Sequence, residues 1–159
     1  MKEEYSAFFD AFIQFRKLHM SSIFPHMNHS EFATMVGISR LSKACSAADE
    51  QVKVSMLVEE LNVNSTAVSR SLKILEERGY IERIVSRKDR RIIYVKLTDL
   101  GEEELIKAEK KMDEFAEAVL SNLEEGSLAQ LTKIMNQLYN SAVQEINKRK
   151  CMKKGEEKE

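Results

Sequence analysis

Residues 63–101 read VNSTAVSRSLKILEERGYIERIVSRKDRRIIYVKLTDLG, and this stretch decides the fold. Its first part has apolar residues at i, i+4 and i+7, the spacing of one helical face, which predicts an amphipathic helix over residues 65–78. The apolar positions are Val68, Leu72 and Leu75. Gly79 follows where helices commonly end, so the helix is expected to stop there.

A β-hairpin is predicted directly after this helix. Residues 81–85 and 92–97 are rich in β-branched side chains, and the second segment alternates apolar and polar residues as a half-buried strand does. Residues 86–91 between them are polar and basic, which is typical of an exposed hairpin tip. The stretch therefore predicts a helix followed by a two-stranded wing.

A shorter helix is predicted before the decisive stretch, over residues 55–61. Asn62 stands where a helix often ends in a left-handed residue, and Asn64 is a good N-cap for the next helix. Two helices joined by a turn of about three residues form a helix-turn-helix. With the hairpin that follows, the order of elements predicts a winged helix-turn-helix.

Charge is distributed unevenly along the chain. The net charge is −1, but residues 65–98 hold nine Lys and Arg against four Asp and Glu, so this segment is basic and the remainder is acidic. Such a cluster is the electrostatic footprint of a nucleic-acid-binding surface. Because it coincides with the predicted helix-turn-helix and wing, double-stranded DNA is the expected partner.

Long amphipathic helices are predicted on both sides of this region. We expect helices over about residues 5–20, 28–44 and 98–123, and a last helix from Ser127. Asn28 and Glu31 have the spacing of a capping box at the start of the second helix. The first helix and the helices of residues 98–147 carry broad apolar stripes with few partners within one chain, which favours a homodimer.

The ordered motifs of this sequence resemble the multiple-antibiotic-resistance regulator (MarR) family of winged-helix transcriptional regulators. The resemblance covers about residues 5–146 and is carried by NSTAVSR at 64–70, LEERGYI at 75–81, DRR at 89–91 and LTDLG at 97–101. It implies a mainly α fold (α+β) with a small β-hairpin wing and long N- and C-terminal dimerisation helices. It further implies an obligate homodimer on a pseudo-palindromic DNA operator, most commonly a repressor released by a small-molecule effector.

The resemblance and the residue pattern together define the predicted domain and sites. We expect a single domain over residues 1–147, with the winged helix-turn-helix at about 54–98 and a disordered tail at 148–159. The helix of residues 65–78 is expected in the major groove and the tip of residues 86–91 in the minor groove. The predicted DNA-binding residues are Ser65, Thr66, Ser69, Arg70, Lys73, Arg87, Lys88, Arg90 and Arg91.

The family's Asp-x-Arg pair in the wing falls on Asp89 and Arg91, where the resemblance implies that the aspartate holds the hairpin in shape and the arginine enters the minor groove. Lys96, like Lys73 and Lys88, suits phosphate contacts. The family's effector cleft lies between the first helices and the DNA-binding lobe. The residues that could line this cleft are Arg16, His19 and Met27.

Other classes of function are weighed against this interpretation. The chain shows no nucleophile–base pair, glycine-rich phosphate loop or metal motif, so we expect neither an enzyme nor a cofactor. His19, His26 and His29 match no tight ligand spacing, and Cys45 is expected to be a buried or half-buried thiol and not a redox sensor. No apolar run could span a membrane and no signal-peptide pattern is present, so we expect a cytoplasmic protein. The alternative is a dimeric winged-helix adaptor that binds protein without specific DNA binding.

Overall fold

Six helices and one β-hairpin make up the described part of the chain. The computed structural model describes residues 3–18, 23, 24, 26–47 and 51–156. The elements in chain order are α1 (Glu3–Arg16), α2 (His29–Ala47), α3 (Val54–Leu61), α4 (Ser65–Glu77), β1 (Ile81–Val85), β2 (Ile93–Leu97), α5 (Asp99–Leu120) and α6 (Ser127–Glu156). The predicted fold class, mainly α with a small hairpin wing, is confirmed.

The chain forms two compact units, Met1–Asp113 and Glu114–Glu159. The predicted single domain over residues 1–147 therefore stays a prediction. The backbone of α6 continues to Glu156, through most of the segment expected to be a disordered tail. Lys and Glu are good helix formers, so the lack of an apolar period in this segment does not by itself end the helix. No described helix combines the length and the hydropathy needed to cross a membrane.

The first helix is shorter than the sequence predicts. It ends at Arg16 instead of about residue 20. The Lys17 N–H is shared between the carbonyls of Ile13 and Gln14, and the Leu18 N–H bonds to a carbonyl three residues back, so the last turn is tightened. His19, expected on the same helical face as Phe8 and Phe12, lies outside the described residues.

The helix-turn-helix follows from two local caps. Asn62 ends α3 in the left-handed conformation (φ 49°), and the Asn64 side chain caps α4 by accepting a hydrogen bond from the Ala67 N–H (2.8 Å). Both assignments were expected from the sequence and are confirmed. The helix α4 ends at Glu77 with Arg78 as its C-cap, one residue before the predicted end.

The core of the first unit lies between α2, α3, α4 and the hairpin. Met35 and Ile38 of α2 are fully buried together with apolar side chains from the other elements. Their main partners are Leu57, Val68, Leu72, Leu75, Ile81 and Val95. The strands β1 and β2 pair antiparallel, with Ile81 opposite Leu97 and Val85 opposite Ile93. Burial of one face of α4 leaves its other face in solvent.

The start of α5 is joined closely to the end of α4 and the start of the hairpin. The Thr98 hydroxyl accepts from the Gly101 N–H (3.0 Å) and donates to the Gly79 carbonyl (2.6 Å). A Cβ at Gly101 would lie 1.9 Å from the carbonyl oxygen of Tyr80, so only glycine fits this approach. This junction fixes the direction in which α5 leaves the hairpin.

Candidate nucleic-acid interface

The residues of α4 that the sequence predicts to contact DNA all lie on its exposed face. Its polar side chains point to solvent, while the apolar positions of the same helix are buried in the core. The exposed residues are Ser65, Thr66, Ser69, Arg70 and Lys73. A protruding helix with short hydroxyls near its start and a long cation one turn later has the shape and chemistry to enter a major groove.

A buried carboxylate ties the far end of α4 to the start of α2. Glu31 is only 3% exposed, and its Oε2 accepts from the Arg78 guanidinium (3.0 Å) and from the Asn28 N–H (3.1 Å). Its Oε1 accepts from the Asn28 amide (2.7 Å), so the predicted capping box is present. Arg78 also donates to the His26 carbonyl (2.5 Å). These bonds fix the C-terminal end of α4 against the start of α2.

A second ion pair joins α4 to the hairpin. The Arg83 guanidinium on β1 donates twice to the Glu76 carboxylate, through Nε (2.8 Å) and through Nη2. This hydrogen bonding holds the pKa of Glu76 below its ordinary value and raises the pKa of Arg83. The helix and the wing are therefore held in one arrangement by charge as well as by the core.

The wing tip, residues 86–91, is shaped by its own side chains. The Asp89 carboxylate accepts from the Arg91 N–H (2.9 Å), and the Ser86 hydroxyl is close to the N–H groups of Lys88 and Asp89. The Ser86 N–H bonds to the Ile92 carbonyl (2.9 Å), which closes the loop. This geometry agrees with the role of Asp89 expected from the family resemblance.

Ion pairing divides the cations of residues 65–98 into two groups. Lys73 lies 3.8 Å from Glu77, and Lys96 lies 2.9 Å from Glu82. The hydrogen bond with Glu82 raises the pKa of Lys96. Both pairs are exposed and weak, but each carboxylate offsets the charge available to a phosphate. Within the described ranges, five cations of this segment form no ion pair: Arg70, Arg87, Lys88, Arg90 and Arg91. They belong to the exposed face of α4 and the wing tip.

Lys53 and Ser55 lie next to Arg91 of the wing tip, although they were not predicted from the sequence as DNA-binding residues. They line a cavity of about 210 Å³ together with Arg91, between the start of α3 and the beginning of β2. Their segment reads as a polar connection leading into a short helix, which carries no binding motif. A lysine immediately before the first helix of a helix-turn-helix was the one available signal.

The predicted effector residues are only partly brought together. Met27 is buried and lines two cavities, of about 300 and 660 Å³, which also share Phe24 and His26. Arg16 is exposed on α1 and lines neither cavity, and His19 lies outside the described residues. The Lys107 and Lys111 side chains of α5, which the sequence did not suggest, line the smaller cavity. Cys45 is buried, as expected.

The chain matches a family model and a curated protein. Residues 44–92 match the model described as the MarR family. The Bacillus subtilis (strain 168) protein named uncharacterized HTH-type transcriptional regulator YdgJ is 30% identical over 92 residues, which make up 58% of this chain and 56% of that protein. The chain thus spans little more than half the length of this curated relative.

Solved structures with the same fold cover almost the whole chain. The crystal structure of a MarR/EmrR family transcriptional regulator from Acinetobacter sp. ADP1 has a TM-score of 0.67 and 24% identity, covering 91% of this chain and 99% of that one. A mutant MarR from E. coli complexed with operator DNA has a TM-score of 0.66 and 19% identity, covering 86% and 94%. At these identities the likeness establishes the fold.

Proposed function

We propose that this chain, which matches a MarR family model over residues 44–92 and has a winged-helix fold, is a MarR-family transcriptional regulator that binds double-stranded DNA in a sequence-specific manner. The observation that carries the proposal is the exposed polar face of α4 beside a wing tip whose cations are not neutralised by the described carboxylates. The E. coli MarR, a structural neighbour, is described in complex with operator DNA.

The helix α4 acts as the recognition helix in the major groove. Arg70 donates two hydrogen bonds to guanine, the commonest specific contact, while Ser65, Thr66 and Ser69 contact base edges or phosphates at the start of the helix. Lys73 contributes to affinity by contacting a phosphate, for which it leaves its exposed partner Glu77. Specificity therefore rests on the first two turns of α4.

The wing tip enters the neighbouring minor groove. Arg91 is exposed and its N–H is held by Asp89, so its side chain starts from a fixed backbone. Narrow A·T-rich minor grooves have the strongest negative potential and attract inserted arginines. Arg87, Lys88 and Arg90 surround it and contact the flanking backbone.

A homodimer places two such surfaces on one operator. On α1 and α6, large apolar side chains are exposed at helical spacing, which is costly for a chain that stays alone in water. Those of α1 are Tyr5, Phe8, Phe9, Phe12, Ile13 and Phe15, and those of α6 include Leu131, Met135 and Leu138. A second copy covers these faces and sets the two α4 helices about 34–36 Å apart, one turn of DNA.

Dimerisation is tested by replacing Leu138 with Asp, using Gln137→Asp as the neighbouring control with an equal charge change. Leu138→Asp is expected to convert the dimer to a monomer or to prevent folding, and Gln137→Asp to leave a dimer. Sedimentation equilibrium measures the mass of each. A dimeric Leu138→Asp variant would show that this face is not the interface.

The cavities around Met27 are the proposed effector site. Phe24 and Met27 offer apolar surface, and Lys111, which also lines the smaller cavity, offers a positive charge. An aromatic carboxylate fits this chemistry, and its binding releases DNA from a repressor acting in the cytosol. A panel of aromatic carboxylates and their neutral amides, screened for release of labelled DNA, tests the charge requirement.

The DNA-binding proposal is tested by selecting duplexes from a random pool and measuring affinity against salt concentration. The expected result is an enriched pseudo-palindrome and a steep loss of affinity with added salt. Arg70→Ala is expected to relax the preference at one base pair of each half-site, by about 1–3 kcal/mol. Absence of salt-sensitive affinity for every duplex would favour the alternative, a winged-helix adaptor for another protein.

A further inference from the structure

We propose that the cavity between the start of α3 and the beginning of β2 binds one phosphate of the DNA backbone. The inference rests on the proposed DNA-binding function and adds a contact that the sequence did not predict. The cavity measures about 210 Å³ and is lined by Lys53, Val54, Ser55, Arg91, Ile92 and Ile93. Two cations, a hydroxyl and three apolar residues line it, with no acid among them, and this combination favours a compact anion.

Hydrogen bonds fix the backbone at the positions of Lys53 and Arg91. The Val95 N–H bonds to the Val52 carbonyl (2.9 Å), and Lys53 pairs with Tyr94 as an isolated bridge, so the residue before α3 is fixed to β2. On the other side, the Arg91 N–H is held by the Asp89 carboxylate (2.9 Å). Residues far apart in the sequence thus meet at a pre-formed site, which lowers the entropic cost of binding.

The electrostatics distinguish this site from the other lysines of the region. Neither Lys53 nor Arg91 forms an ion pair with any residue that the structure describes, whereas Lys73 and Lys96 each lie beside a carboxylate. A phosphate in the cavity therefore gains the Lys53 ammonium as a direct partner, and the nearby positive charge of Arg91, whose side chain continues to the minor groove, without first displacing an acid. Its uptake releases condensed counterions, the main source of affinity for DNA.

The place of the cavity also suits a backbone contact. In helix-turn-helix complexes the first helix crosses the DNA backbone while the second occupies the major groove. Here α3 is that first helix, and the cavity lies between its start and the wing that enters the minor groove. The sugar-phosphate strand that separates these two grooves passes this point.

The test compares Lys53→Ala with Lys133→Ala, which removes the same charge from an exposed position of α6 that belongs to none of the proposed sites. Affinities for the selected operator and for a scrambled duplex are measured by fluorescence anisotropy over a range of salt concentrations. Lys53→Ala is expected to weaken both duplexes by roughly the same factor, about tenfold, and to reduce the slope of log K against log salt by about 0.9. Lys133→Ala is expected to change neither quantity appreciably.

A second variant separates DNA contact from folding. Ser55→Asp puts a carboxylate into the cavity and also at the first turn of α3, where a negative charge stabilises a helix. We expect an unchanged or higher melting temperature together with a larger loss of DNA affinity than Lys53→Ala shows. A variant that melts normally and binds DNA as well as the unchanged protein would overturn the proposal.

Neutral methylphosphonate groups, placed one at a time in an operator half-site, identify the phosphate itself. One position is expected to weaken the unchanged protein but not Lys53→Ala, because that contact is already lost. If the unchanged protein shows no salt-dependent DNA binding, the proposed function fails. If it binds DNA and Lys53→Ala matches Lys133→Ala in affinity and slope, or weakens the operator alone, the phosphate site is refuted.

Discussion

Replacing Glu31 is expected to destabilise the fold more than replacing any exposed acid. In the wild-type protein its carboxylate is 3% exposed and accepts hydrogen bonds from Arg78 and from two groups of Asn28. Glu31→Ala removes all of these acceptors at once and leaves a space beside the end of α4. The variant therefore loosens both the start of α2 and the attachment of α4.

The magnitude follows from the burial of each partner. A hydrogen bond to a charged group is worth about 1.5–3 kcal/mol, and loss of a helix cap costs about 0.5–2 kcal/mol. Arg78 is 40% exposed and regains water, so the full penalty for an unpaired buried charge does not apply. We expect a loss of about 2–4 kcal/mol for Glu31→Ala. Glu31→Gln keeps one oxygen for Asn28, and about 1–2 kcal/mol is expected.

Urea unfolding followed by circular dichroism, at one fixed protein concentration, measures these free energies. The control is Glu60→Gln, which breaks the Arg40–Glu60 pair between α2 and α3. Those side chains are 71% and 32% exposed, so the expected loss is below about 1 kcal/mol. A double-mutant cycle of Glu31→Gln with Arg78→Met is expected to give a coupling of about 1 kcal/mol or more. A coupling near zero, or equal losses for Glu31→Gln and Glu60→Gln, would refute the reasoning.

Three further changes test other contacts. Gly101→Ala is expected to lower the free energy of unfolding by several kcal/mol, because the added Cβ meets a backbone carbonyl oxygen. Gly37→Ala is expected to cost less, because its Cβ meets only leucine side chains that can move. Equal melting temperatures for the two variants would contradict this. Glu76→Gln is expected to destabilise at pH 7 and less at low pH. The pKa of Glu76 is lowered in the folded state, so its contribution to the free energy of unfolding is complete above the ordinary value of 4.5 and is lost as pH falls through the folded pKa. A stability difference between the two proteins that stays constant down to pH 2 in urea titrations would argue against this. Asp89→Ala removes the acceptor of the Arg91 N–H, so it is expected to speed hydrogen exchange at the wing tip and to weaken DNA binding. The melting temperature is expected to change by no more than a few degrees. Unchanged exchange at the wing tip would count against the wing-shaping role of Asp89.

Features governed by neighbours within one or two turns were predictable from the sequence. The spacing of Asn28 and Glu31 predicted a capping box, and Asn62 and Asn64 predicted the turn before α4, all of which the structure contains. The periodicity of residues 65–78 identified the buried face of α4 and therefore the exposed face as well. The resemblance of the wing to the MarR family predicted a wing-shaping role for Asp89, whose carboxylate accepts from the Arg91 N–H in the structure.

The end of α1 and the partners of individual charges were not predictable in the same way. Arg83 and Lys96 both count toward the basic charge of residues 65–98, and Lys96 was expected to suit a phosphate contact. The hairpin register places Lys96 beside Glu82, and Arg83 pairs with Glu76 of α4. A basic cluster read along the chain therefore overstates the charge that is available to DNA.

The sequence by itself determined the order of helices and strands, their caps and the solvent-facing side of α4, because those depend on backbone hydrogen bonds and apolar periods within a few residues. The tertiary structure alone decided that Glu31 meets Arg78 and that Lys53 faces the same cavity as Arg91. Such contacts join side chains on different elements. Their distances are set by how the elements pack around the core, which local spacing along the chain does not encode.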